Sequence, residues 1–257
     1  MAIGKREGNI SMQIAVISDI HGNCFALDRA LEDIRRQGID QIVCLGDAIQ
    51  GGAQPGETVQ RLREIGCPVV MGNADAWLLE EEEHSSHEQV TEQQLAIRAW
   101  SLEHLSTDDR AFIRQFQPTI EIALEARQKL LCFHGSPRSF NDIILPNTSD
   151  DVLHQFLDGF DATLLTGGHT HTQQLRHLEN ASYFNPGSIG LAYIWQIPGE
   201  TFTVAPRAEY AIVTSEGENI GITFRRVLFE LNELVRIIRT SGRPFAEQAI
   251  SVYQQDA

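Results

Sequence analysis

The sequence predicts an α/β protein, because short apolar strand-like runs alternate along the chain with amphipathic helical stretches. Residues 12–18 have the pattern of a buried strand. Residues 23–37 have a helical pattern that places Leu27, Leu31 and Ile34 on one face. A second strand is predicted at residues 41–45, and strand–helix alternation of this kind favours parallel pairing.

Turn residues and periodicity define the remaining elements. A helix is predicted at residues 57–65, because Pro55-Gly56 precedes it and Gly66 follows it. The other predicted strands are residues 68–71, 119–123, 129–133, 162–166, 173–178, 209–214 and 220–226, the last two forming a hairpin around Glu216-Gly217. The other predicted helices are residues 149–157, 230–240 and 245–253.

The length of 257 residues fits one α/β domain with insertions, at residues 12–257. Residues 76–116 are helix-like and highly charged, and we interpret them as a helical lid-like insertion. Residues 1–11 are predicted to be a loose extension, which lacks the apolar centre of a signal peptide. No apolar run is long enough for a membrane helix, so we expect a cytoplasmic protein without membrane contact.

The net charge of −15 disfavours binding to a long nucleic acid, which requires a basic surface. A small anionic substrate remains compatible, because bound divalent cations invert the local charge of an acidic site. The four cysteines have no C-x-x-C spacing, and Cys44 and Cys132 are predicted to be buried free thiols. The sequence does not define the oligomeric state, and a homodimer is compatible with it.

Five predicted strands end in residue types that bind metal ions. They are followed, in chain order, by Asp19 and His21, by Asp47, by Asn73, by His134, and by His169 and His171. Because ligands of open α/β sheets bind beyond the carboxyl ends of the strands, these side chains are expected to converge. Glycines such as Gly72 and Gly168 beside them permit close backbone approach. Oxygen and nitrogen donors without a thiolate suit Mn, Fe, Zn, Co or Ni and suit Ca poorly.

The motifs resemble the calcineurin-like metallophosphoesterase superfamily in order and spacing, over roughly residues 12–226. The matching segments are Asp19-Ile20-His21-Gly22-Asn23, Gly46-Asp47, Gly72-Asn73-Ala74-Asp75, His134-Gly135 and Gly168-His169-Thr170-His171. The segment Asn185-Pro186-Gly187-Ser188 makes the chain similar to the compact bacterial and archaeal phosphodiesterase branch. The resemblance implies a four-layer α/β/β/α sandwich of two mixed sheets, with residues 183–226 supplying much of the second sheet.

The same resemblance implies two divalent metal ions, with Mn favoured. One would be held by Asp19, His21 and His171, and the other by Asn73, His134 and His169. Asp47 would bridge both through its two carboxylate oxygens and orient a metal-bridging hydroxide, and Asn73 would share the catalytic role. Two such ions activate a water molecule for attack on phosphorus and offset the charge that develops on the phosphoryl oxygens.

One position departs from the family pattern, because Ala74 stands where many members have a histidine that protonates the leaving group. The sequence identifies no replacement acid among His104, His154 and His177. Asn23 and Arg138 are candidates for substrate binding, as a helix N-terminus and a guanidinium both suit a phosphate. Helix capping by Asn23 and a solvated loop position for Arg138 are the competing interpretations.

We therefore predict a hydrolase, a metal-dependent phosphoesterase acting on a small phosphodiester or phosphomonoester. The alternatives are a protein phosphatase or dinucleoside tetraphosphatase on the same cradle, which Ala74 disfavours, and a non-catalytic scaffold of this fold. A scaffold is expected to have lost metal ligands, and all seven expected types are present here. The sequence names neither the natural substrate nor the physiological metal.

Overall fold

The computed structural model describes residues 11–80, 90–196 and 201–253. The helices are α1 (Cys24–Arg36), α2 (Pro55–Ile65), α3 (Asn73–Leu79), α4 (Glu92–Glu103), α5 (Thr107–Ile113), α6 (Asp150–Leu157), α7 (Leu231–Thr240) and α8 (Ala246–Ser251). The strands are β1 (Met12–Ile17), β2 (Gln41–Cys44), β3 (Ile120–Ala123), β4 (Lys129–Cys132), β5 (Leu164–Thr166), β6 (Gln174–His177), β7 (Ser182–Asn185), β8 (Ala192–Gln196), β9 (Thr201–Ala205), β10 (Arg207–Glu216) and β11 (Asn219–Leu228). The predicted extension, apart from Ser11, and the middle of the predicted insertion lie outside these described residues.

The strands form two mixed sheets and a separate two-stranded hairpin of β8 and β9. The first sheet has the order β11-β10-β1-β2, in which β1 and β2 are parallel. The second has the order β3-β4-β5-β7-β6, in which β4, β5 and β7 run parallel. Parallel neighbours place their carboxyl ends at one edge, which is where the polar loops of this chain begin.

The two sheets pack face to face, with helices on the outer sides. Successive residues of β1 point to opposite faces. Ile14 and Val16 contact residues of the second sheet, such as Leu130. Ala15 and Ile17 lie in the core beneath α1, α2 and the C-terminal helices. A third apolar cluster joins the second sheet to α6. The predicted four-layer α/β/β/α sandwich is confirmed.

Capping residues, proline and glycine explain where helices α1 and α2 begin and where α2 ends. The Asn23 side chain accepts a hydrogen bond from the backbone N–H of Ala26, so it caps α1 as the sequence indicated. Helix α2 begins at Pro55, two residues before the predicted start, because proline at the first helical position loses no hydrogen bond. It ends where Gly66 adopts a left-handed conformation.

Two predictions about the sheets were wrong. Residues 68–71 form no strand and make only single bridges, from Val69 to Cys44 and from Val70 to Gln117. Residues 183–226 do not mainly build the second sheet, because β10 pairs antiparallel with β1 and carries β11 with it into the first sheet. Of that region only β7 joins the second sheet, while β8 and β9 pair with each other.

The four cysteines are free, and Cys24, Cys44 and Cys132 are buried, which confirms the prediction for Cys44 and Cys132. Burial raises the pKa of the Cys24 thiol to about 11 and that of Cys67 to about 12, so these thiols stay protonated at neutral pH. No helix within residues 11–80, 90–196 and 201–253 is long and apolar enough to cross a membrane.

Candidate metal centre

All seven predicted metal ligands meet in two adjoining groups. Donor atoms of the first group lie within 4.8 Å of one another, and so do those of the second. The first group contains Asp19, His21 and His171, and the second contains Asp47, His134 and His169. Asn73 joins the second group, since its Oδ1 lies 2.9 Å from Nε2 of His134. The loops that carry these residues follow β1, β2, β4 and β5 and the bridging segment 68–71.

Asp47 lies between the two groups. Its Oδ2 is 3.4 Å from Nε2 of His134 and 3.8 Å from Nε2 of His21. Its Oδ1 instead accepts a 2.8 Å hydrogen bond from the backbone N–H of Ala74. One carboxylate oxygen therefore faces both groups, where the sequence analysis expected both oxygens, because the first turn of α3 holds the other.

Three of the four histidines are oriented by the backbone. Each ring Nδ1 lies close to a carbonyl oxygen: His21 to Gln50 at 2.9 Å, His134 to Leu45 at 2.9 Å and His171 to Leu191 at 3.1 Å. A carbonyl only accepts, so each Nδ1 must carry the proton. In the neutral ring the lone pair is then on Nε2, the atom that faces the cluster, which is how metal-binding histidines are usually held.

The backbone is left-handed at most of these ligands. Five of the seven have a positive φ: Asp19 (53°), His21 (49°), Asp47 (48°), His169 (68°) and His171 (55°). Non-glycine residues adopt this region rarely, and each instance costs of order 1–3 kcal/mol unless the surroundings impose it. Such strain concentrates at functional sites. Sequence reasoning missed this feature, although all five residues are Asp or His, types that adopt the left-handed region more often than other non-glycine residues.

The segment Asn185-Pro186-Gly187-Ser188 fastens two of the ligand loops together. The Asn185 amide donates to the carbonyl of Gly168 at 2.6 Å and to Oγ1 of Thr170 at 3.1 Å. The Ser188 hydroxyl donates to the carbonyl of Asp19 at 2.7 Å. Both residues are completely buried. The segment is therefore a supporting layer beneath the cluster as well as a turn.

Asp75 has the same kind of supporting role at the Asp47 loop. It is buried in the first turn of α3, and its carboxylate accepts hydrogen bonds from the N–H groups of Ala48 and Ile49 at 3.0–3.1 Å. Burial and the nearby Asp47 raise the pKa of Asp75 to about 7.

The electrostatics of the cluster favour positive charge. Burial raises the pKa of the Asp47 carboxyl, but His134 and His21 outweigh this effect and hold the pKa below its usual range. Burial lowers the pKa of His134, but Asp47 outweighs it and raises the pKa to about 9. Burial and His134 lower the pKa of His169 to about 4. A site that draws a proton onto one ring attracts a cation for the same reason.

The two predicted substrate-binding residues differ in their contacts. The Asn23 amide donates to the carbonyl of Gly190 at 3.3 Å, in addition to capping α1, and the residue lines a cavity that His21 also lines. The Arg138 guanidinium donates to the carbonyl of Asp158 at 2.6 Å and lies 4.9 Å from the centre of the Phe160 ring. These contacts engage Arg138 with the loop after α6, so its phosphate contact stays a prediction that the observed contacts do not favour.

A cavity of about 750 Å³ separates the cluster from the helices of the predicted insertion. His21, Gln50 and Asn73 form its floor, while Trp77 of α3 and Ile97 of α4 form part of its wall. The three histidines considered as replacement acids are engaged elsewhere: His104 with the carbonyl of Trp100, His154 with Asp158, and His177 with Ser182. The cavity is large enough for a small organic ligand.

The two-sheet sandwich and its paired metal-ligand groups define a class of layered α/β proteins with a candidate dinuclear centre. A family model described as the calcineurin-like phosphoesterase superfamily domain matches residues 12–216. The chain therefore belongs to the calcineurin-like phosphoesterase superfamily, as the motifs indicated. It contains two residue groups able to hold the divalent metals that this family uses.

Curated relatives come from archaea and bacteria. An uncharacterized protein of Methanocaldococcus jannaschii is 29% identical over 184 residues, which cover 71% of this chain and 72% of the relative. The phosphodiesterase YfcE of Escherichia coli is 25% identical over 190 residues, which cover 70% of this chain and 80% of the relative. These relatives agree with the predicted compact bacterial and archaeal branch.

Solved structures show the same fold over almost the whole chain. A metallophosphoesterase from Sphaerobacter thermophilus has a TM-score of 0.70 and 22% identity, and the match covers 94% of this chain and 99% of that one. A hypothetical protein from Pyrococcus horikoshii OT3 has a TM-score of 0.76 and 18% identity, covering 93% of this chain and 96% of that one. At these identities the likeness concerns the fold.

Proposed function

We propose that this protein is a phosphoesterase that hydrolyses a small phosphodiester or phosphomonoester with two divalent metal ions. The observation that carries the proposal is the convergence of the two ligand groups on Oδ2 of Asp47. One ion would be held by Asp19, His21 and His171, and the other by Asn73, His134 and His169, with Asp47 between them. Manganese is the first metal to test, because this donor set accepts several divalent ions.

The residues fit a cation better than they fit one another. Nε2 of His21 lies 3.0 Å from Nε2 of His171, although both rings already donate through Nδ1 to carbonyl oxygens. Oδ1 of Asp19 lies 3.3 Å from the same His171 atom and 4.0 Å from that of His21. Three acceptor atoms thus face one point, where a cation can satisfy all of them together.

In this proposal the metal ions, Asp47 and the histidine-binding carbonyls have separate roles. The bound ions would supply Lewis-acid activation of water and neutralise charge on the phosphoryl group. Asp47, held by the Ala74 N–H, fixes the spacing of the two groups. The carbonyls behind His21, His134 and His171 fix the rings, so that little reorganisation accompanies the reaction. No side chain of the cluster is required as a nucleophile.

Ala74 has no proton donor, and this restricts the kind of leaving group that the site can release quickly. General-acid assistance typically contributes about 10²–10⁴-fold, so a site without it favours esters whose leaving oxygen departs without protonation. Among the described residues, His104, His154 and His177 are engaged away from the cluster. We expect aryl esters to be hydrolysed far faster than alkyl esters, and phosphopeptides carrying phosphoserine to be poor substrates.

The test is hydrolysis of bis(p-nitrophenyl) phosphate and p-nitrophenyl phosphate by chelator-treated protein, before and after addition of Mn²⁺. Turnover should require the metal, and Asp47→Asn should lower kcat/KM by roughly 10²–10³-fold, as loss of electrostatic stabilisation does elsewhere. Asp161→Asn is the matched control, because that side chain is almost fully exposed. Folded protein that hydrolyses neither ester with Mn, Fe, Zn, Co or Ni would contradict the proposal.

Calorimetric titration with Mn²⁺ separates the enzyme from a non-catalytic scaffold. Two sites are expected in the natural protein. A single weak site or none would favour the scaffold. Parallel assays on a phosphopeptide and a dinucleoside polyphosphate then test the two remaining alternatives, which should give slower turnover than the aryl diester if the leaving-group argument holds.

A further inference from the structure

A second cavity adjoins the cluster on the side of the C-terminal helices. It has a volume of about 510 Å³, and it shares His21 and Gly51 with the larger cavity beside the insertion. Its outer wall consists of α7, α8 and the residues that follow them. The family model ends at residue 216, so this wall is built by a part of the chain beyond the matched domain.

The wall is mainly apolar. Its side chains include Leu234 and Ile238 of α7, Ala249 of α8, and Val252 just beyond it, and Leu191 closes the side next to His171. Leu234 and Ile238 are one turn apart on α7, so they present one continuous apolar strip. A volume of this size lies within the usual range of small-molecule sites, which are mostly apolar with few polar groups.

Two of the polar side chains around this cavity, Tyr253 and Arg243, already have partners. The Tyr253 hydroxyl donates to the carbonyl of Gly190 at 2.7 Å. Nε of Arg243 donates to the carbonyl of Gly51, and Nη1 donates to that of Pro244, both at 2.8 Å. Among the described residues that line the cavity, Arg243 is the one with a permanent charge, and these carbonyls occupy it. The cavity therefore presents apolar surface to an uncharged ligand. It presents few free polar or positively charged groups to a second phosphate.

We propose that this cavity is a specificity subsite that receives the uncharged, apolar organic substituent of the phosphoester, such as an aromatic ring. The inference rests on the proposed function, since His21 belongs both to the first metal group and to the cavity wall. A phosphoryl group bound at the cluster would bring its organic substituent to this boundary, because the cavity begins at His21. Entry of an apolar substituent is favourable, because it removes apolar surface from water.

The test compares two ligands that the enzyme cannot hydrolyse, because a carbon–phosphorus bond replaces the ester. Calorimetry on the Mn²⁺-loaded protein should show phenylphosphonate binding at least about tenfold more tightly than methylphosphonate, a difference typical of a hydrophobic pocket. Ala249→Phe fills the cavity and should abolish that preference while leaving methylphosphonate affinity unchanged. Ala249→Leu, a smaller filling, should reduce the preference partway and covers the case in which the larger variant fails to fold.

Thr240→Phe is the matched control, because it adds the same ring at an exposed position of α7 and should leave both affinities unchanged. Equal affinity for the two phosphonates, or an Ala249→Phe variant that keeps the preference, overturns the subsite and leaves the proposed function standing. If methylenediphosphonate gains affinity where phenylphosphonate does not, the cavity takes a second anion and the proposal is wrong. Failure of every phosphonate to bind contradicts the phosphoesterase proposal itself.

Discussion

The loops that carry the candidate metal ligands differ in construction from the helices that wall the two cavities. The loops are buried and strained: Asp19 and His134 have no exposed surface, and five ligands have a left-handed backbone. The walls are ordinary amphipathic helices, α3 and α4 on one side and α7 and α8 on the other. Under the proposed function, the loops at the sheet edges would hold the metal ions, and the helices would contact the organic part of the substrate.

The sharpest test of the loop region is Gly72→Ala. A methyl group at this position would lie 2.2 Å from the backbone nitrogen and from Oδ1 of Asp47, so the carboxylate must move. We expect a destabilisation of about 1–3 kcal/mol from overpacking, together with loss of Mn²⁺ binding in both groups. Urea denaturation and calorimetric metal titration measure the two effects.

Gly221→Ala is the control for that experiment, because the added methyl group would meet only a Thr214 carbon at 3.8 Å. It should leave the free energy of unfolding and metal binding nearly unchanged. A Gly72→Ala variant that still binds two metal ions with natural affinity would show that the Asp47 loop is less constrained than the structure indicates.

A smaller effect is expected when the layer beneath the loops is loosened. Asn185→Ala removes the hydrogen bonds to the Gly168 carbonyl and to Thr170 without touching a ligand. Changes in such supporting residues typically weaken metal affinity by about 10–100-fold. Ser182→Ala, at the other end of β7, is the control and should have no effect on affinity measured by titration with Mn²⁺. Unchanged affinity in Asn185→Ala would mean that the loop of Gly168 and Thr170 keeps its position without these hydrogen bonds.

The sequence predicted the residue types of the candidate site better than the backbone conformation and contacts that position them. All seven candidate ligands were found because they follow predicted strand ends, which hydrophobic pattern locates locally, although residues 68–71 before Asn73 form only single bridges. The pairing of β10 with β1 was missed because it joins residues about 200 positions apart, and no local pattern records such a partner. The role of one Asp47 oxygen and the left-handed backbone were also missed, because both arise from contacts between loops.

On the wall side, Trp77 offers the clearest test. It lies one helical turn after Asn73 in α3, lines the larger cavity, and has a buried indole N–H without an acceptor among the described residues. We expect Trp77→Leu to raise KM for bis(p-nitrophenyl) phosphate up to about tenfold, as loss of one aromatic contact does. The value of kcat should change little, because the chemistry lies in the loops. A fall in kcat at constant KM would break the division between the two regions.

The smallest effect on function is expected far from both regions, on the outer face of the first sheet. Asp33 of α1 accepts hydrogen bonds from the Tyr210 hydroxyl at 2.7 Å and from the Arg225 guanidinium at 2.8–3.1 Å. Burial raises the pKa of Asp33, but these two partners outweigh it and hold the pKa below its usual range. The ionised carboxylate therefore stabilises the fold above about pH 4, and this contribution is lost as the pH falls through the lowered pKa.

Asp33→Asn should accordingly reduce the free energy of unfolding by about 1 kcal/mol at pH 7, with kcat, KM and metal affinity unchanged. Because protonation removes the same interaction from the natural protein, the difference in stability between the two proteins should shrink as the pH is lowered from 5 towards 2. Urea denaturation at several pH values measures this difference. A gap that stays constant over that range would show that the introduced amide group, rather than the lost charge, accounts for the destabilisation.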